Sequence, residues 1–174
     1  YHYFVLLLED NGDVVWDAVS SSESELSSKA ICVDANDDIY ITGTFKCVLD
    51  DYADQMGEGF FNSVGYYDIF MTKYDLNGNR VYSYQYGGQY DDFCSAIDID
   101  QVDDPILSGS FNKVFTFNVG ANFQNSIGTS INHLTQLGCM PSGNNCQLGY
   151  TNYRLLHSNG VQDIFVGKIT DQSI

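Results

Sequence analysis

Apolar residues along this chain come in short alternating runs separated by clusters of Asn, Asp and Gly, the pattern of half-buried strands joined by tight turns. The clearest stretch predicts four strands, over 68–74, 80–86, 94–100 and 105–111, in the order of an antiparallel meander. The first pair is joined by Asp75-Leu76-Asn77-Gly78-Asn79, where Asn and Gly tolerate the positive φ of a hairpin turn. Pro105 opens its strand, where a missing N–H is tolerable.

The pattern repeats at a fixed offset. Phe4-Val5-Leu6-Leu7-Leu8 and the following Asn11-Gly12 lie over Phe70-Met71-Thr72-Lys73-Tyr74 and Asn77-Gly78, since 70 minus 4 and 78 minus 12 both give 66. The register holds from Ala30-Ile31-Cys32-Val33-Asp34 to Ala96-Ile97-Asp98-Ile99-Asp100, and from Ile41-Thr42-Gly43-Thr44-Phe45 to Leu107-Ser108-Gly109-Ser110-Phe111. A four-stranded unit repeated in this way predicts an all-β, β-propeller-like stack of antiparallel blades. Residues 1–174 read as one repeat region, with units at about 4–69 and 70–164 and the start of a third at 163–174. That amounts to about two full blades plus partial ones. The missing initiator Met and the truncated third copy predict a fragment of a larger propeller.

Composition narrows the function. With 23 Asp and Glu against 7 Lys and Arg, the net charge of -16 would repel a phosphate backbone, which excludes nucleic acid as an expected partner. No apolar run approaches the roughly 20 residues of a membrane-spanning helix, so no transmembrane segment is expected.

The run Asp68-Ile69-Phe70-Met71-Thr72-Lys73-Tyr74-Asp75-Leu76-Asn77-Gly78-Asn79, continued by Gly87-Gly88, Ala96-Ile97-Asp98 and Leu107-Ser108-Gly109-Ser110-Phe111, resembles the SBBP-type β-propeller repeat of bacterial secreted and cell-surface proteins. Asp163-Ile164-Phe165-Val166-Gly167-Lys168 is similar to the next opening of that repeat. The resemblance spans about two-thirds of the chain and implies an extracellular or cell-surface location. It says little of activity, because the matched positions belong to turns and core.

Strands over 29–34, 38–45, 68–74 and 80–86 would put the tight turns on one rim and the long connections on the other. The tight-turn rim collects Asp34, Asp37 and Asp38, and in the next unit Asp100, Asp103 and Asp104, with Arg80 as the nearby counter-charge. These carboxylates suit either ordinary Asx turns or a Ca²⁺ site, although neither set has EF-hand spacing. On the opposite rim, the third opening falls at Asp163 where an unbroken register would put it at Leu134, so the connection over 112–162 carries an insertion of 163 minus 134, or 29 residues. Within it Tyr150, Tyr153, Arg154 and Leu155 form either a contact surface for a partner or a cover for the edge of their own blade.

In an exported chain, Cys139 and Cys146 are expected to close a local disulfide, and Cys47 with Cys94 a bridge between adjacent blades. Cys32 is expected to be a buried free thiol. His2, His133 and His157 have no metal-ligand spacing, and no catalytic triad stands out. The expected function is a non-catalytic extracellular repeat module for protein binding, adhesion or self-assembly, acting through the long-loop rim and strand edges. The alternatives are a propeller-type glycosidase or lyase and a calcium-stabilised structural module or filament subunit.

Overall fold

The structure is a computed structural model that describes residues 1–22, 24–50, 60–118, 123–124, 153–157 and 162–169. The described residues are all-β. The strands are β1 (His2–Leu8), β2 (Val14–Ser22), β3 (Leu26–Val33), β4 (Ile39–Phe45), β5 (Val48–Asp50), β6 (Phe60–Asn62), β7 (Asp68–Tyr74), β8 (Arg80–Gly87), β9 (Asp92–Ile99), β10 (Pro105–Phe111), β11 (Val114–Asn118), β12 (Phe123–Gln124), β13 (Tyr153–His157) and β14 (Asp163–Ile169). They form three antiparallel sheets, and no sheet closes on itself among the described residues. The first runs β1-β2-β5-β6, the middle one β13-β11-β8-β7-β4-β3, and the last β12-β14-β10-β9.

The middle sheet is covered on both faces, and strand alternation decides which side chain goes to which neighbour. Ile39, Ile41, Phe45, Phe70 and Tyr74 pack with Tyr3, Val5, Ala18 and Leu49 of the first sheet. Tyr40, Ile69, Met71 and Tyr86 pack with Cys94, Ile97, Leu107, Phe111, Phe165 and Ile169 of the last. The Tyr3 ring lies parallel to that of Phe70 at 5.0 Å, an aromatic contact across the first junction.

The 66-residue offset is visible in the backbone. Positive φ occurs in matched pairs, at Gly12 and Gly78, Asp37 and Asp103, and Cys47 and Lys113. Strand pairing repeats as well: β4 joins β3 and β7 just as β10 joins β9 and β14, with a register shift in the β3–β4 and β9–β10 ladders. The shift sits beside a glycine in both copies. A Cβ on Gly43 would lie 2.7 Å from the Phe70 ring, and one on Gly109 would lie 2.8 Å from the Phe165 ring, each also colliding with a carbonyl of the neighbouring strand. Only glycine leaves room there for the neighbouring strand's backbone and the aromatic ring on the strand at its other side.

The long connections are not plain loops. β5 and β6 form a hairpin that adds to β2, and β11 and β13 form one that adds to β8. The pairings Ser21↔Asp50 and Gly87↔Thr116 are the same contact displaced by 66 on both strands. β5, β6, β11 and β13 thus extend the sheet before them, whereas β12 pairs with β14 of the last sheet.

Candidate functional site

The two rims carry different chemistry, as the strand order requires. On the tight-turn rim, four turns share one backbone design. The N–H of Glu9, Asp34, Asp75 and Asp100 donates to the carbonyl four residues on, and the fourth residue of each turn donates back to the first carbonyl. In three of the turns the leading Asp supplies an Asx turn. Oδ1 of Asp34 accepts from the N–H groups of Asn36 and Asp38, that of Asp75 from Asn77 and Asn79, and that of Asp100 from Val102 and Asp104.

The second oxygen of Asp34 is also engaged, by the Tyr40 hydroxyl at 3.2 Å and Lys73 Nζ at 3.3 Å. Lys73 reaches Asp38 at 2.9 Å and lies over the Tyr40 ring. The counter-charge at these carboxylates is therefore Lys73, which pairs with Tyr40 in the ladder. Arg80 Nη1 lies 3.5 Å from the Ser83 hydroxyl. Burial opposes ionisation of Asp34, yet the two N–H donors and Lys73 outweigh it and hold the carboxyl below its ordinary value. Asp103 Oδ1 accepts the Ala35 N–H at 3.2 Å and so ties the turns of two successive sheets together. Among the described residues no three His, Cys, Asp or Glu side chains are grouped so that they could hold a metal ion.

The long-connection rim holds an exposed aromatic group. Tyr66 and Tyr67 lie beneath Lys46 Nζ, at 4.8 and 5.5 Å to the ring centroids, and Lys113 Nζ lies 4.5 Å above Tyr90. The Tyr67 hydroxyl bonds to the Glu25 carboxylate, which raises the tyrosine to about 12. Val64 and Tyr66 stand out into solvent beside them.

Behind this rim lie two buried carboxylates that the sequence pattern did not single out. Asp68 Oδ2 accepts the Val64 N–H at 2.9 Å and the Gln85 side-chain amide at 2.6 Å, while Oδ1 is buried with no partner. Asp92 accepts from the N–H groups of Gly88 and Asn112. Burial raises Asp68 and pushes Asp92 up to about 7 against its N–H donors, with the Asp68 charge adding to the latter. Gly87 makes room for them, because a Cβ there would collide with the Asp68 carboxyl. Both residues are fully buried, and their bonds pin the 63–67 and 87–91 segments to the strand ends. Buried and hydrogen-bonded in this way, they act as internal anchors. The available signal was an Asp opening an apolar strand opposite Gly87-Gly88.

Tyr153, Arg154 and Leu155 lie on β13, the edge strand of the middle sheet, opposite Asn118, Phe117 and Thr116 of β11. Tyr150, Cys139 and Cys146 lie outside the described residues. Cys47 and Cys94 do not bridge: both are free thiols. Cys47 is exposed on a positive-φ turn, whereas Cys94 is buried between the middle and last sheets, 3.2 Å from the Thr42 hydroxyl. Cys32 is free and half-buried, and burial with the nearby Asp98 and Asp34 charges pushes its thiol up to about 12. No helix of the described residues is long and apolar enough to cross a membrane. Comparison with protein-family models and with curated proteins gives no match.

Proposed function

We propose that this chain is a non-catalytic extracellular module of β-propeller type, built from SBBP-like repeats, that binds protein partners and assembles through its long-connection rim and strand edges. The observation that carries this reading is the exposed Tyr66 and Tyr90 on that rim, each with a lysine over its ring. Tyrosines so displayed supply contact area with little side-chain entropy to lose, and a cation over each ring adds an attractive contact. The repeat itself supports a scaffold role, because its matched positions serve turns and sheet junctions. The buried anchors favour the same reading over a glycosidase or lyase, whose acid and base must meet substrate.

The test is twofold. In intact cells the epitope-tagged protein should be cleaved by added protease, and the purified chain should retain labelled cell-surface proteins in a way that Tyr66→Ala with Tyr90→Ala removes. Protection from protease until lysis, or hydrolysis of polysaccharide lost in Asp92→Asn, overturns it.

A further inference from the structure

Two of the turns that share one backbone design carry Asn followed by Gly, at Asn11-Gly12 and Asn77-Gly78. Such a pair is prone to lose the side-chain amide, because a glycine has no Cβ to keep its own nitrogen from the preceding Asn. A third, Asn159-Gly160, lies outside the described residues. The two turns differ in what holds the amide. At 75–79 the leading Asp75 takes the N–H groups of Asn77 and Asn79 on Oδ1, at 2.9 and 2.8 Å. At 9–13 the leading residue is Glu9, and the N–H that matches Asn79's, that of Asp13, donates instead to Asn11 Oδ1 at 2.8 Å. The Asn11 amide nitrogen in turn donates to Asp13 Oδ2 at 2.9 Å. Asn79 stands in the place of Asp13 in the other turn, and its own amide is bonded to Asp75.

We infer that Asn11 is a site of spontaneous deamidation promoted by its own turn, with Asp13 as the promoting residue. The Asp13 N–H is placed where negative charge develops on Oδ1, and the Asp13 carboxylate lies at the leaving nitrogen, able to carry a proton to it. Release of one bond, from the Gly12 N–H to the Glu9 carbonyl, frees the attacking nitrogen. That nitrogen bonds to Asn11 Cγ, its proton passes through the Asp13 carboxylate to Nδ2, and the Cγ–Nδ2 bond breaks to expel ammonia. Water then opens the succinimide ring at Cγ, leaving Asp, or at the backbone carbonyl of residue 11, leaving an isoaspartyl link. The sum is one ammonia lost, one water gained and one further carboxylate on a chain already at -16. An isoaspartyl link adds a carbon to the main chain and so disrupts the Glu9–Asp13 pairing that closes the hairpin of β1 and β2.

Peptide mapping by mass spectrometry of the whole folded chain, sampled over days at mildly alkaline pH, reads each site separately. Asn11 should deamidate roughly fivefold or more faster than Asn77, the factor that one hydrogen bond is worth. In urea the two rates should converge. Asp13→Asn keeps the N–H and removes the carboxylate, while Glu9→Asp restores the leading acceptor of the other turns and draws the Asp13 N–H away from Asn11. Each should slow Asn11 by a similar factor and leave Asn77 unchanged, with folding checked by circular dichroism. If either variant is unfolded, Asp13→Ser takes its role. Equal rates at the two sites in the folded chain overturn the inference, as does a difference that persists in urea or an Asn11 rate that loss of the Asp13 carboxylate leaves unmoved.

Discussion

Trp16 donates its indole N–H to the Leu76 carbonyl over 2.9 Å, latching the first sheet to a turn of the middle one. The same ring lies where a Cβ on Gly78 would fall, and it tilts against Tyr74 at 6.1 Å. Trp16→Phe keeps most of the apolar area and loses the hydrogen bond, so it should cost about 1 kcal/mol in urea unfolding followed by circular dichroism. Gly78→Ala should cost more, because it meets Trp16 and sits at a φ of +83. As the sole tryptophan, Trp16 makes its fluorescence a direct reporter of this junction.

Lys73 serves two carboxylates at once. Replacing it by Met leaves the buried Asp34 without a cation while keeping the stem of the side chain. Stability should fall by roughly 2–4 kcal/mol, as when one partner of a buried pair is removed. Asp34→Asn combined with Lys73→Met should recover part of that loss, and a double-mutant cycle measures the coupling.

Asp92 sets a pH dependence of unusual direction for a carboxylate. Its folded value of about 7 lies above the ordinary 3.8, so the folded protein binds its proton more tightly than the unfolded chain does. Its contribution is complete below about pH 4 and is lost as pH rises through 7. The raised Asp68 acts in the same sense. Asp34 and Asp75 are lowered, so their contributions are lost only at pH values below that window. Urea midpoints measured between pH 4 and 7 should therefore decline in the natural chain, by up to about 3 kcal/mol in stability, and decline less in Asp92→Asn.

The repeated turns offer a gain. Asp37 holds a φ of 61, where Gly12 and Gly78 occupy the matching position in their turns. Asp37→Gly removes the left-handed strain and should stabilise the protein by a few tenths to about 1 kcal/mol. Asp103→Gly should gain less, since it also gives up the bond from Ala35. Thermal melts of the two variants side by side separate the effects.

What was legible in the sequence was whatever depended on neighbours along the chain. Strands over 68–74, 80–86 and 105–111 were set by alternation and turn residues, and the two rims followed from strand order. The short β5, β6, β11 and β13 were not, because they exist by pairing with a strand of the preceding sheet. The alignment of Val48 with Val114 was a faint sign of them. The sequence holds no mark that Phe4 is exposed while Phe70 is not. That difference comes from which sheet has a neighbour. The pairing of Lys73 with Asp34 and Asp38 has a similar origin, since the ladder sets Lys73 beside Tyr40 across strands distant in sequence.

Because each connecting hairpin seals the sheet made before it, assembly runs behind synthesis by part of a unit. The first sheet gains its third and fourth strands only when residues 48–62 have emerged, and the middle sheet gains its outermost strand only when residue 157 has. Until then the nascent chain holds an open β-edge at the ribosome, which invites pairing with other chains. The order of translation thus favours the correct pairing: the segment that will join an edge is tethered to it and emerges within the next unit.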